Sequence, residues 1–166
     1  MSTDVLSIEE GRRLYGKLRA AELWHRYRLS IPVDLRVLAE ELGLEVVTFP
    51  FQGRIKEMIV NRVIGVQSGL TRPWFRWYVS HAMGHHMLHM GTSFYLESWQ
   101  WVNRAKAERQ AEEFAAWLLG GPDGWQRTAS ELSIPHEKHL LLRGLAGPTR
   151  HAGLGGGQWM EMPMGG

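Results

Sequence analysis

The spacing of apolar positions along this chain changes several times, and each change marks an element. Ser7-Ile8-Glu9-Glu10 has the serine and glutamate spacing of a capping box. Beyond it, Leu14, Leu18, Ala21 and either Trp24 or His25 share one stripe, which predicts a helix to about Tyr27. Ile31-Pro32-Val33-Asp34 opens a second, shorter helix with proline in its first turn and Gly43 as its stop. Its expected buried side is Val33, Val37, Leu38 and Leu42. The β-branched and aromatic run within Leu44 to Phe51 predicts a strand that ends at Pro50. Arg54 to Gln67 reads as a hairpin, Ile55 to Val60 and Val63 to Val66, turning at Asn61-Arg62. Ser68-Gly69 and Arg72-Pro73 break the chain before a helix expected over Trp74 to His89. Trp74, Phe75, Trp77 and Tyr78 cover both sides of its first half, as befits a helix at the centre of a domain.

Gly91 ends that helix, and a loop through Ser98 follows, with Trp99 and Trp101 placed to wall or cover a cleft. Arg104 to Leu119 is the next helix, with a narrow apolar stripe of Ala111, Ala115 and Leu118, Phe114 beside it, and Gly120-Gly121-Pro122 as its stop. Extended back one turn, the stripe meets Glu108, and Glu112 lies on the same side. A carboxylate on a buried face must be paired or coordinate a metal. One near a helix start, in water, needs neither. Thr128 to Leu132 and His136 to Leu145 form two short helices with the outline of a helix-turn-helix. From Ala146 the chain is glycine-rich and aperiodic, a flexible tail that nonetheless carries Trp159, Met160, Met162 and Met164. The pattern predicts an α+β fold, a small sheet of about three strands packed with helices. Residues 1–145 form one domain, with 126–145 as a helix-turn-helix-like appendage and 146–166 as the tail.

Composition narrows the function. The 166 residues are 44% hydrophobic and 22% charged, values of a soluble globular protein. No apolar run is long enough to cross a membrane, and the N-terminus lacks a basic-then-apolar export signal, so a cytoplasmic protein is expected. With no cysteine, disulfides and thiolate chemistry are excluded. The formal charge of +2 is too small to argue for direct nucleic-acid binding, which leaves a clustered basic footprint. Most of the eight tryptophans are expected in the core.

The candidate chemistry lies in His81-Ala82-Met83-Gly84-His85-His86-Met87-Leu88-His89. On a helix, His81 and His85 sit one turn apart on one face and can present two imidazole nitrogens to one ion. His85 and His89 have the same spacing, so the register is not forced. The zinc-peptidase signature H-E-x-x-H uses this geometry with its glutamate as general base, and here position 82 is alanine. Equally open at this point is a histidine-rich helix with some rings hydrogen-bonded in the core and others in water.

Three stretches in order resemble one family, the ImmA/IrrE-type metallopeptidases, regulatory zinc enzymes of bacteria and their mobile elements. Pro32-Val33-Asp34-Leu35 through Leu38-Ala39-Glu40-Glu41-Leu42-Gly43 is similar to the family's N-terminal Pro-Val-Asp helix. Arg76-Trp77-Tyr78-Val79-Ser80-His81-Ala82-Met83-Gly84-His85, with the trailing Leu88-His89, resembles its Arg-Phe-Thr-Leu-Ala-His-Glu-Leu-Gly-His. Glu108 to Leu119 followed by Pro122 resembles its Glu-x-x-Ala-Asn-x-Phe-Ala-x-x-Leu-Leu-x-Pro helix. The resemblance spans roughly Pro32 to Leu145. It implies zinc held by His81, His85 and Glu108, a three-ligand set with an open position as in catalytic sites. It further implies Glu112 as a partner orienting a ligand histidine. The expected activity is cleavage of a helix-turn-helix repressor. Zinc would activate a water and polarise the scissile carbonyl, while the glutamate after the first histidine moves the proton. Ala82 cannot move it, so the expectation is a metallopeptidase scaffold inactive, or nearly so, as written. The alternatives are a non-catalytic pseudo-peptidase that binds a partner peptide, and a DNA-binding regulator that uses Thr128 to Leu145.

Overall fold

A computed structural model describes residues 8–88 and 101–147, with side chains from Tyr15 and from Arg104 onward. The fold is α+β. In chain order it runs α1 (Ile8–Tyr27), α2 (Leu35–Glu41), β1 (Glu45–Phe49), β2 (Glu57–Val60), β3 (Val63–Gln67), α3 (Arg72–Leu88), α4 (Trp101–Gly120), α5 (Ala129–Leu132) and α6 (His136–Ala146). A 3-10 turn at Gly124–Gln126 separates α4 from α5.

The three strands form one mixed sheet in the order β1-β3-β2. β2 and β3 make the expected hairpin, Glu57 opposite Val66 and Ile59 opposite Ile64. Its two-residue turn places Asn61 at φ 55°, the left-handed conformation that tight hairpin turns need. β1 then pairs with β3 in parallel, Val46 opposite Ile64 and Thr48 opposite Val66. Ile64 and Val66 are fully buried, so the face they share with Val46, Glu57 and Ile59 looks into the molecule. Glu57 is the acid on that inner face of edge strand β2.

The core is centred on α3 and α4. Trp77, Met83, Phe114, Leu118 and Leu119 are buried with at most 2% exposure. The two helices approach closely because Gly84 has no side chain: a Cβ there would meet the Ala111 backbone and the Phe114 ring at 3.0 Å. α1 packs on the other side of α4, tied by the Trp24 indole, which donates to the Leu118 carbonyl at 2.7 Å. Gly121 ends α4 at φ 68° with the Trp24 ring against it, where a side chain would meet both strain and a clash.

Several expectations need correction. The α2 helix begins after Asp34, not at Pro32. The Asp34 carboxylate accepts from the Arg36 and Val37 amides and caps the helix. This turns Leu35 and Ala39 inward with Leu38, and leaves Val37 47% exposed. Helix α3 starts at Arg72, before Trp74. Trp101, placed by pattern in a covering loop, is the first residue of α4. The loop with Trp99, residue His89, the Ser7 cap and the tail from residue 148 lie outside the described residues. No helix of the described residues is long and apolar enough to cross a membrane.

Candidate metal centre

One turn of α3 sets two imidazoles side by side. The His81 and His85 rings stand edge to face with centroids 4.8 Å apart. His81 is 7% exposed, and its neighbours on the helix, Ser80, Ala82, Met83 and Gly84, are buried with it. Its chemistry is therefore governed by protein groups and not by water.

Two carboxylates approach these rings from different elements. Glu108, in α4, reaches across the close α3–α4 packing, with Oε2 3.3 Å from His81 Nε2 and Oε1 3.1 Å from His85 Nε2. Its side chain is 47% exposed, so this side of the cluster opens to solvent. Glu57, from the inner face of β2, sets Oε1 against His81 Nδ1, and its other oxygen, Oε2, is buried with no hydrogen-bond partner. The His81 ring thus has a carboxylate at each nitrogen. Glu57, His81 and His85 together place one nitrogen or oxygen donor each within 4.8 Å of the others, a group able to hold a metal ion. The donor set suits a borderline cation such as zinc, which takes imidazole nitrogen and carboxylate oxygen.

The electrostatics point the same way. Burial would lower the His81 pKa, but Glu108 and Glu57 overcome it and raise it to about 10. In turn the His81 and His85 rings hold the Glu108 carboxyl well below the usual carboxylate range, against the opposing effect of its partial burial. The cluster favours positive charge between its carboxylates, whether that charge is a proton or a cation.

The resemblance implies His81, His85 and Glu108, and the fold brings these three together. Glu57 joins them without being marked by helical spacing or by the resemblance. The detectable signal was period-2 alternation, which sets Glu57 on the same face as Ile59 in a strand whose partner turns Ile64 and Val66 inward. Glu112, expected to orient a histidine, has Oε1 2.7 Å from Lys138 Nζ of α6, and Lys138 also lies 4.8 Å above the Trp77 ring. Ala82 is 1% exposed and packs in the core. Arg76 opens the motif that resembles the family's. It is buried, its Nη1 donating to the Val33 carbonyl at 2.7 Å and its Nε to the Ser133 carbonyl at 3.1 Å. It thereby joins α3 to the approach of α2 and the end of α5.

A separate cavity of about 460 Å³ lies between α2, β1 and α3, lined by Leu35, Ala39, Leu44, Val46, Phe75 and Val79, and includes none of the cluster residues. No family model matches this chain, and no curated protein matches it.

Proposed function

We propose that this chain is a zinc-binding metallopeptidase scaffold of the ImmA/IrrE type, held by His81, His85 and Glu108 and lacking its general base at Ala82. The observation that carries the proposal is the approach of both Glu108 oxygens to the two Nε2 atoms, at 3.3 and 3.1 Å. Ligand atoms about 2.0–2.1 Å from a tetrahedral zinc are separated from one another by about 3.3–3.4 Å. The spacing between Glu108 and the imidazoles therefore suits a shared ion with little movement. Three protein ligands leave a fourth position, and the half-exposed Glu108 marks the side from which a peptide would reach it.

Zinc, when bound, supplies a Lewis acid that polarises a carbonyl and eases deprotonation of water. The chain's own residues do the rest. His81 and His85 present Nε2 from a rigid helix, and Glu108 contributes a charge already ionised at neutral pH. At position 82 a methyl group replaces the proton carrier, and the loss of such a group costs about 10²–10⁴ in rate. The substrate class, by the same resemblance, is a helix-turn-helix repressor.

The test pairs the chain with its Ala82→Glu variant, zinc and candidate repressors. Zinc binding by both proteins and cleavage only by the variant is the expected result. A variant that binds zinc and cleaves no repressor removes the peptidase reading for those substrates.

A second reading, a non-catalytic regulator that binds a partner peptide, is favoured by Ala82 itself, seated in the core with 1% exposure. It predicts equal partner binding with alanine or glutamate at position 82 and no gain of cleavage. The surface of α6 gives less support to DNA recognition. Its exposed positions are His136, Glu137, Leu140, Arg143 and Gly144, which carry one arginine and one glutamate.

A further inference from the structure

We infer that Glu57 is the positioning residue of the metal centre. It holds His81 in the one tautomer and orientation that presents Nε2 to the ion. The inference rests on the zinc reading and adds to it a residue from the sheet.

A neutral imidazole that gives Nε2 to a cation carries its proton on Nδ1, and a buried Nδ1–H must have an acceptor. His81 is 7% exposed, and the group found at Nδ1 is Glu57 Oε1. A carboxylate in that role fixes the ring and raises its basicity towards the metal. It also supplies a second negative charge beside Glu108, so that a divalent cation at the centre is balanced by two carboxylates. The backbone makes the placement stiff. Glu57 pairs with Val66 in the β2–β3 hairpin, and its side chain is 15% exposed, which leaves few alternative rotamers open to water.

Two other roles for Glu57 fit less well. As a substitute for the missing base it would have to reach the fourth position of an ion held at Nε2, but it sits at the opposite nitrogen of the same ring. As a direct ligand it would draw the ion to the Nδ1 edge, away from Glu108, whose two oxygens already span the Nε2 atoms of both histidines.

The experiment is a zinc competition titration against a chromophoric chelator on the full chain, Glu57→Gln and Glu57→Ala, with cobalt(II) absorption spectra and circular dichroism of each. The amide oxygen of Glu57→Gln still accepts from Nδ1–H, so we expect a loss of about tenfold or less with the cobalt spectrum unchanged. Glu57→Ala removes the acceptor and should weaken zinc about 10–100-fold. Alanine binding zinc within about twofold of the parent overturns the inference and leaves the metal centre standing. A glutamine variant that is folded yet binds no metal, or gives a cobalt spectrum of different coordination number, makes Glu57 a ligand and overturns it too. Should the alanine variant fail to fold, Glu57→Leu, which fills the space and accepts no hydrogen bond, takes its place: a loss of about 10–100-fold supports the inference and affinity within about twofold of the parent overturns it. No zinc bound by the parent chain overturns the metal reading and this inference together.

Discussion

Glu57 and Glu108 bear on the same imidazole, yet they were unequally visible in the chain. Glu108 belongs to a helix whose stripe can be extended by a turn, and it follows the histidines in a familiar order. Glu57 reaches His81 only because a hairpin and a parallel pairing bring β2 to the edge of the sheet that faces α3. Arg76 was hidden for a similar reason: its acceptors, the Val33 and Ser133 carbonyls, come from segments far along the chain. Arg76→Met should leave the buried Val33 carbonyl and the part-buried Ser133 carbonyl without this donor and destabilise the protein by about 2 kcal/mol or more, read by urea denaturation. Arg76→Lys should recover little of this, because one ammonium cannot span both acceptors. A full recovery by lysine would show that charge, not the forked geometry, is what matters there.

Among elements, the contact that governs the site is the one between α3 and α4. It brings the His85 turn of one helix to the Glu108 turn of the other, and Gly84 sets how near they come. Alanine is the better helix former by about 1 kcal/mol. At position 84, however, its methyl group would lie 3.0 Å from the Ala111 backbone and from the Phe114 ring. Overpacking of this kind costs about 1–3 kcal/mol. Gly84→Ala is therefore expected to lower stability on balance and to weaken zinc binding by moving Glu108 away from the imidazoles. An equal or raised melting temperature with unchanged zinc affinity would mean the helices adapt without moving the site. The extents of most helices were readable from period and stops, but the buried face of α1 was not: Ala20 and Leu23 are buried with Ala21, while Leu18, placed on the expected stripe, is 44% exposed. Nor was the start of α2, since Pro32 suits the first turn of a helix as well as the residue before a cap, and only the Asp34 side chain decides between them. The parallel pairing of β1 with β3 was equally silent, because strand patterns record which face is buried and not which neighbour is taken.

For the whole molecule, the α+β class and the helical core follow from the order of apolar periods. The charge balance of the cluster does not, because it depends on three elements meeting. If those elements are arranged to share a cation, the ion binds the folded chain and not the unfolded one. Zinc at about 100 times its dissociation constant would then add about 2.7 kcal/mol of stability. In a chain of this size that corresponds to a rise of about 5–10 °C in Tm, reversed by a chelator. The same rise in a His81→Ala, His85→Ala double variant would assign the effect to binding elsewhere. The most direct measurement is a zinc titration of the chain beside its Glu108→Ala variant, with stoichiometry and affinity read together. One equivalent bound tightly by the parent and a large loss in the variant are expected. A parent that binds none, or a variant that matches it, would contradict the convergence of His81, His85 and Glu108 on one ion.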